Sequence, residues 1–256
     1  MKIVLAGGTG QVGTLLARAF QARGDDVVVL SRHPAAAPWR TAAWDARTFG
    51  PWATELDGAH VVINLAGRNV NCRYTAENRA AIMASRVEST RAVGAAIATP
   101  RTRKVLLRAA MVMSPDPGGI FDTLLRLVRF GLGGAAAGGR QYVSWIHDAD
   151  FVRAIMWLIE HPELDGPVNL AAPNPLPYAT FMRAIRDAWR MPIGLPATRW
   201  MLTLGAWAMR TETELVLKSR RVVPGRLLDS GFAFEFSEWP AAAHALCDAW
   251  RARAAT

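Results

Sequence analysis

The chain has 256 residues, of which 51% are hydrophobic, and a formal net charge of +9 at pH 7. That length is enough for one large core with a smaller appendage or for two unequal domains. No apolar run is long enough to cross a membrane and no signal peptide precedes the first strand, so we expect a cytoplasmic protein. The basic residues are spread along the chain without a basic run, which argues against specific nucleic-acid binding. Cys72 and Cys247 lie far apart without metal-ligand spacing, and we expect no metal site.

The N-terminal residues predict a strand, a glycine-rich turn and a helix. Residues 1–13 read MKIVLAGGTGQVG, and the amphipathic run Thr14–Arg23 follows. Gly7 would let the chain turn off the strand, Gly10 would leave room for a pyrophosphate, and Gly13 would let the helix pack against the sheet. The free N–H groups at the start of the helix would then hold that pyrophosphate. The alternative is a glycine-rich loop that binds nothing, but its position directly after a strand favours a dinucleotide.

The end of the second strand indicates which dinucleotide. Asp26–Leu30 is predicted to be a buried strand, and Ser31 and Arg32 follow it. A protein selective for NAD usually carries an acidic residue here, which bonds to the ribose hydroxyls. A guanidinium and a hydroxyl suit the 2′-phosphate of NADP(H) instead, so NADP(H) is favoured over NAD(H). The alternative is a solvated arginine at a strand end.

Predicted strands and helices alternate along the rest of the chain. Strands or extended segments are predicted at Thr41–Trp44, Val61–Asn64, Val105–Met113, Gln141–Ile146 and Val168–Leu170. Helical segments are predicted at Trp52–Leu56, Thr75–Ala98, Gly119–Phe130, Asp148–Glu160, Tyr178–Trp189, Arg199–Arg210 and Glu238–Arg253. This alternation predicts an α/β fold with a doubly wound parallel sheet and helices on both faces. The Gly- and Ala-rich residues 131–139 are expected to form a flexible loop, a candidate lid over the site.

The chain carries a set of short motifs in a fixed order: Gly7–Gly13, Ser31–Arg32, Trp44–Asp45, Asn64–Gly67, Asn71–Thr75, Ser85–Arg86, Val143–His147, Asn169–Asn174 and Arg221–Pro224. In order and spacing this set resembles the epimerase-family proteins of the extended short-chain dehydrogenase/reductase superfamily. The resemblance runs almost end to end. It implies a Rossmann-like, NADP(H)-binding epimerase domain over residues 1–195. It also implies a small, mainly helical C-terminal domain of unknown function over residues 196–256, which would cover the substrate side.

The resemblance further implies which residues bind the cofactor. Ser31 and Arg32 would hold the adenosine phosphate, and Arg86 would reach a phosphate or a substrate group. The ribose and nicotinamide path would be lined by Asn64, Leu65, Ala66 and Gly67. The pyrophosphate would lie on the turn that contains Gly7, Thr9, Gly10, Gln11, Val12 and Gly13.

The chain departs from the family after Pro100, where Arg101 and its neighbours lead directly into the next predicted strand. The resemblance implies a further strand, an acidic loop and a helix at this place, so an internal segment is missing. If the chain is continuous, the Cα atoms of Pro100 and Arg101 lie about 3.8 Å apart. In the wider superfamily the missing segment supplies a Ser or Thr and a Tyr-x-x-x-Lys pair, in which the lysine lowers the tyrosine pKa. Lysines occur only at positions 2, 104 and 218, and none has a tyrosine four residues before it.

Two residues remain as candidates for acid–base chemistry. Tyr74 follows Arg73, whose cation would stabilise a phenolate, but a loop tyrosine packed on its neighbours is the alternative. His147 lies in a Trp-Ile-His-Asp run and would titrate near neutral pH, but a capping role at the entry to a helix is the alternative.

Two functions are therefore open. The first is an NADP(H)-dependent oxidoreductase or epimerase that acts on a small carbonyl or sugar-nucleotide-like substrate, with the hydride chemistry supplied by the cofactor. The second is a non-catalytic NADP(H)-binding protein that has lost its catalytic segment.

Overall fold

The computed structural model describes residues 1–70, 72–97, 102–196 and 218–254. Its contacts divide the chain into two compact units, Met1–Arg103 and Lys104–Thr256. The helix predicted at 199–210 and the junction between residues 100 and 101 lie outside the described residues. The domain boundary expected at residues 195 and 196 falls inside the second unit and stays a prediction.

The first unit is built on a parallel four-stranded sheet. Its strands are β1 (Lys2–Ala6), β2 (Asp26–Ser31), β3 (Arg40–Ala43) and β4 (Val61–Asn64), in the order β3-β2-β1-β4. Its helices are α1 (Gln11–Ala22) and α2 (Ala76–Ala96), with a 3-10 helix at Pro51–Leu56. Strands β1 and β2 are almost entirely buried, which explains why they are continuous apolar runs rather than alternating patterns.

The core of the first unit lies under both helices. Helix α1 buries Leu16, Ala17 and Phe20 along one face. Trp44 and Trp52 pack against each other with their ring centroids 5.2 Å apart and belong to the cluster that covers β1 and β2. Packing in this core therefore fixes the positions of the carboxyl ends of β1, β2 and β4.

The second unit contains three pairs of short strands. They are β5 (Val105–Ala109), β6 (Met111–Met113), β7 (Tyr142–Val143), β8 (Trp145–His147), β9 (Gly166–Leu170) and β10 (Leu176–Pro177). Strand β5 pairs with β9 and β6 with β8 in parallel, and β7 pairs with β10 antiparallel. Its helices are α3 (Ile120–Arg129), α4 (Asp148–Glu160), α5 (Tyr178–Trp189), α6 (Gly225–Asp229) and α7 (Trp239–Ala254).

An aromatic cluster forms the core of the second unit. The Trp239 ring stacks on Phe181 at 4.1 Å and meets Trp145 edge-on at 4.8 Å. The Trp239 indole N–H donates to the Phe181 carbonyl at 2.9 Å, so its polar atom is satisfied inside the core. On the surface of the same unit, Arg226 donates to the carbonyl of Pro167 on β9 at 3.1 Å.

Two predicted extended segments are each divided in the structure. The strand expected over Val105–Met113 is interrupted at Ala110, because its first half pairs with β9 and its second half with β8. The segment expected over Gln141–Ile146 is interrupted at Ser144, whose hydroxyl accepts from the Val222 N–H and donates to the Arg220 carbonyl. Both segments are extended, as the apolar pattern predicts, but each pairs with two different strands along its length.

The glycine-rich residues 131–139 pack into the second unit and do not form the open, flexible loop that was expected. Gly134 donates to the Leu195 carbonyl at 3.2 Å, and the Arg186 guanidinium donates to the Gly133 carbonyl at 3.0 Å. Both glycines are buried. In this segment glycine allows close packing, so the structure gives the proposed lid no support. In the described part of the chain, no helix is long and apolar enough to cross a membrane.

A buried carboxylate ties the segment before α7 to α4. Asp150 is fully buried and accepts from the backbone N–H groups of Glu235 at 2.9 Å and Phe236 at 2.8 Å. The Arg153 guanidinium donates to the same carboxylate at 2.9 Å. The Asp150 carboxylate is therefore buried with three donors, of which the Arg153 guanidinium reaches it from the surface.

We predict that Asp150→Ala lowers the free energy of unfolding of the second unit by roughly 3 kcal/mol, because two backbone hydrogen bonds to a charged group are lost. Urea unfolding followed by tryptophan fluorescence measures this change. Asp248→Ala is the matched control, since that exposed carboxylate pairs with Arg251 one helical turn away. Its effect is expected to be under about 0.5 kcal/mol. Equal effects of the two substitutions would contradict the role given to Asp150.

Candidate functional site

The glycine turn after β1 is held by contacts between backbone atoms. Gly7 has a φ of +75°, and a Cβ on it would lie 2.7 Å from the Cα of Ala66 in the loop after β4. A Cβ on Gly13 would overlap the backbone of Gly8. Gly13 therefore lets α1 approach the turn itself, in addition to the packing on the sheet that the sequence predicted. A Cβ on Gly10, in contrast, would meet nothing within 4 Å.

The start of helix α1 faces this open space. Gly10 is the N-cap residue and contributes no side-chain cap, and the first turn carries no acidic residue. The N–H of Thr14 donates to the Gly10 carbonyl, whereas the preceding N–H groups of the turn have no acceptor within the helix. Uncapped N–H groups together with the helix dipole suit an anion. The residues predicted for this anion site, Gly7, Thr9, Gly10, Gln11, Val12 and Gly13, thus lie in one turn.

The side-chain amide nitrogen of Gln11 is buried and has no hydrogen-bond partner among the described residues. A buried amide without a partner is costly, so such groups usually meet a ligand or a water. This atom belongs to the same turn and is a second sign that the turn is built to receive a polar group.

The two residues after β2 differ in their surroundings. Ser31 is buried, and its hydroxyl accepts from the His33 N–H at 3.1 Å. Arg32 is exposed and has no hydrogen-bond or ion-pair partner in the described ranges. Its guanidinium is thus available to a ligand at the carboxyl end of the sheet, while the Ser31 hydroxyl also caps its own turn.

The loop after β4 is fixed by a small polar network. The Asn64 carboxamide oxygen accepts from the Ala66 N–H at 3.0 Å, and its nitrogen donates to the Ser89 hydroxyl at 3.3 Å. Ser89 is fully buried on α2 and donates to the Ala66 carbonyl at 3.3 Å. Leu65 donates to the carbonyl of Ala6 at 2.8 Å, which aligns the loop with β1. Sequence reasoning missed Ser89, although a serine among the residues of α2 that face the sheet is a usable signal.

Arg86 lies over the end of the same loop. Its guanidinium donates to the carbonyls of Arg68 at 3.3 Å and Ile82 at 2.9 Å. A Cβ on Gly67 would lie 3.3 Å from the guanidinium carbon, so a larger residue there would displace the Arg86 side chain slightly. The geometry therefore gives Arg86 a positioning role for the loop, and its expected contact with a phosphate or substrate group stays a prediction.

The two acid–base candidates lie in different units. The guanidinium over the Tyr74 ring, 5.0 Å from its centroid, belongs to Arg79. His147 lies in the second unit at the N-terminus of α4, where its Nδ1 accepts from the Ala149 N–H at 3.1 Å and lies 3.0 Å from the Asp148 carboxylate. That contact confirms the capping alternative for His147.

Several groups surround His147 and its neighbour. The ring stacks on Phe236 at 3.9 Å, and its Nε2 is buried without a partner in the described structure. Burial opposes ionisation of Asp148, but contact with the His147 side chain and a hydrogen bond from the Ser114 hydroxyl outweigh it and lower the pKa of that carboxyl. Asp148 therefore stays ionised beside the imidazole. No group of three or more His, Cys, Asp or Glu side chains suited to a metal ion occurs among the residues described.

The order of the parallel strands, the glycine turn and the loop after β4 define a Rossmann-like α/β unit. A crystal structure of a human epimerase family protein with NADPH has the same fold, with a TM-score of 0.83 at 23% identity. The match covers 97% of this chain and 99% of that one.

Family models and relatives agree with the fold. Residues 3–123 match the model of the NAD dependent epimerase/dehydratase family, and residues 197–246 match a domain of unknown function, DUF1731. An epimerase family protein of Staphylococcus haemolyticus is 26% identical, over 97% of this chain and 99% of its own length. One from Bos taurus is 28% identical, over 94% and 98%. Residues 3–123 are therefore similar to the epimerase family, and residues 197–246 are similar to DUF1731.

The relatives contain residues that this chain lacks. The alignment with the Staphylococcus haemolyticus protein is 301 positions long, although the chain has 256 residues. The extra alignment positions agree with an internal segment that the relative has and this chain lacks. Its position after Pro100 stays a prediction.

We predict that Gly13→Ala lowers the melting temperature of the protein without ligand, because the added methyl overlaps the backbone of Gly8. Overpacking of this kind costs roughly 1–3 kcal/mol. Gly94→Ala is the control: it lies within α2, and a Cβ there meets nothing within 4 Å. It is expected to raise stability by about 0.5–1 kcal/mol through helix propensity. Thermal unfolding followed by circular dichroism measures the melting temperatures of both variants. A Gly13→Ala variant that is more stable than the parent protein would show that the turn is not tightly packed.

Proposed function

We propose that the first unit binds NADP(H) and that the protein is an oxidoreductase or epimerase that acts on a small carbonyl or sugar-nucleotide-like substrate. One observation carries this proposal: an uncapped helix N-terminus with open space at Gly10 lies at the same end of the sheet as the unpaired guanidinium of Arg32. The first feature suits a pyrophosphate and the second suits a 2′-phosphate.

The residues present fit this cofactor. The space in front of Gly10 is the volume that a side chain would fill, so the backbone can approach a phosphate closely. The N–H groups of Gln11, Val12 and Gly13 would donate to the pyrophosphate, since anions bind at helix N-termini. Asn64, Leu65, Ala66 and Gly67, fixed by Ser89 and Arg86, would form the wall along the ribose and nicotinamide.

The preference for NADP(H) rests on charge. Arg32 is exposed and unpaired after β2, at the position where an acidic residue would repel a 2′-phosphate. A hydrogen bond to a charged group contributes about 1.5–3 kcal/mol. This range corresponds to roughly a tenfold to hundredfold preference for NADPH over NADH. The structure of a human epimerase family protein with NADPH supports the same choice.

We predict that Arg32→Ala removes most of the preference for NADPH and leaves the affinity for NADH nearly unchanged, because the pyrophosphate contacts remain. Isothermal titration with both cofactors measures the two dissociation constants. Arg40→Ala is the matched control, since it removes the same charge from the other end of the sheet, where Arg40 pairs with Glu55. Equal affinities of the parent protein for both cofactors, or an Arg32→Ala variant that still prefers NADPH, would refute the assignment.

We predict that Gly10→Val abolishes binding of both cofactors without loss of fold, because the new side chain occupies open space in front of the helix. Titration and thermal unfolding are measured on the same preparation. A variant that still binds NADPH as tightly as the parent protein would place the pyrophosphate elsewhere.

When bound, NADP(H) supplies hydride transfer at its nicotinamide ring. The chain's own contribution is to bind and orient it, since no Tyr-x-x-x-Lys pair is present to move a proton. This absence, with the shorter chain, favours a second candidate function: a non-catalytic NADP(H)-binding protein. Tyr74 and His147 stay as candidate acid–base groups if turnover occurs.

The two candidate functions differ in turnover: if the protein is non-catalytic, we predict that NADPH oxidation with a panel of small aldehydes, ketones and sugar nucleotides is negligible, because loss of acid–base catalysis alone costs about a hundredfold to ten-thousandfold in rate. Absorbance of NADPH under steady-state conditions measures this. Ordinary enzymatic rates would contradict the second candidate function, and Tyr74→Phe and His147→Gln would then identify the proton donor.

A further inference from the structure

The loop after β4 and the first half of α2 are rich in arginine. Between residues 65 and 87 the sequence has one acidic residue, Glu77, and four arginines: Arg68, Arg73, Arg79 and Arg86. Strands β1 and β4 pair in parallel, so this loop leaves the same end of the sheet as the glycine turn. Ligands of open α/β sheets bind at the carboxyl ends of the strands. The excess positive charge therefore lies where a ligand is expected.

Two of these arginines are held by uncharged groups. Arg68 Nη2 donates to the Asn78 carboxamide oxygen at 2.8 Å. Arg86 Nη1 donates to the carbonyls of Ile82 at 2.9 Å and Arg68 at 3.3 Å. Neither guanidinium has a carboxylate within ion-pair distance among the residues that the structure describes. These bonds orient each guanidinium through one nitrogen and leave its charge without compensation.

Other arginines of the first unit are neutralised. Arg23, Arg40 and Arg47 each lie within 3.0 Å of an acidic side chain. At Arg68 the chain has the amide of Asn78 in place of an acidic residue. The amide nitrogen of Asn78 donates to the backbone carbonyl of residue 73 at 2.8 Å, which turns its oxygen toward Arg68. The loop is therefore built to orient this guanidinium without neutralising it.

Arg86 lies next to the residues that are proposed to line the nicotinamide. Its guanidinium carbon is 3.3 Å from the position of a Cβ on Gly67, and the preceding residue, Ala66, rests against Gly7. In the proposed function the α1 turn holds the pyrophosphate and Arg32 holds the 2′-phosphate, so the anionic groups of the cofactor already have partners. The positive charge at Arg68 and Arg86 is thus left for a second ligand.

We propose, on the basis of that proposed function, that Arg68 and Arg86 bind an oxyanion of the substrate. The substrate is then a small carbonyl compound that carries a carboxylate or a phosphate group. A guanidinium donates two parallel hydrogen bonds to either group, and each of these two has further nitrogens for that purpose. Uncharged aldehydes and ketones make no such bonds and bind more weakly.

Isothermal titration of the NADP⁺-saturated protein tests the proposal with two matched pairs of probes. Dihydroxyacetone phosphate is compared with dihydroxyacetone, and pyruvate is compared with methyl pyruvate. At least one anion is expected to bind roughly tenfold or more tightly than its uncharged counterpart, and the pair with the larger ratio distinguishes phosphate from carboxylate. The ratio should fall as salt is raised. Equal affinities within both pairs would overturn the proposal.

Arg68→Gln is expected to lower this ratio about tenfold and to leave the NADP⁺ dissociation constant nearly unchanged. Arg68→Lys keeps the charge without the planar fork and is expected to retain part of the ratio. Arg40→Gln is the matched control, because it changes the net charge equally at an arginine that already has an acidic partner. An Arg68→Gln variant with the parent's ratio would overturn the proposal. So would one whose affinity for NADP⁺ falls as much as its affinity for the anion.

The NADP⁺ titration separates this inference from the proposed function. A parent protein that does not bind NADP⁺ refutes the proposed function. The same four probes are then titrated into the ligand-free parent and Arg68→Gln proteins. Weaker anion binding by the variant would still support an oxyanion site at Arg68, whereas equal binding would overturn it.

Discussion

Close contact between backbone atoms is the constraint on which the candidate site depends. The missing side chain of Gly7 lets Ala66 rest directly against the turn after β1, and Gly13 lets α1 rest against Gly8. These contacts hold together the ends of β1 and β4 and the start of α1. Few side chains lie between these backbone segments, so rotamer changes have little effect on their spacing. The anion-binding geometry is therefore a property of the main chain, which close-packed contacts keep in place.

The parts of the fold that local chemistry dictates could be predicted from the sequence. The strand before Gly7, the turn and the helix after it follow from an apolar run, positive-φ glycine and an amphipathic pattern within a short stretch. Helix α4 begins at Asp148 and α5 ends at Trp189, as their patterns indicate. The exposure of Arg32 also follows from its place after a buried strand.

Features that depend on distant partners could not be predicted. The predicted strand breaks at Ala110 because its first part pairs with β9 and its second part with β8, and both partners lie far along the chain. The role of Ser89 depends on Asn64, which lies 25 residues earlier. Composition alone predicts a flexible loop at residues 131–139. Gly134 instead meets Leu195 so closely that a Cβ would lie 2.5 Å from its carbonyl oxygen. Glycine content reports what the backbone is allowed to do, whereas tertiary contact decides whether that freedom is used for movement or for packing.

The edge of β9 that faces away from β5 contains a proline. Pro167 has no N–H to offer, and its carbonyl already accepts from Arg226. The side-chain amide of Asn169 donates to the carbonyl of Val223 in the segment before α6. A regular ladder of backbone hydrogen bonds therefore cannot run past Pro167 along this edge of β9. A proline in an edge strand limits the addition of further strands, so this position also protects the sheet against edge-to-edge association.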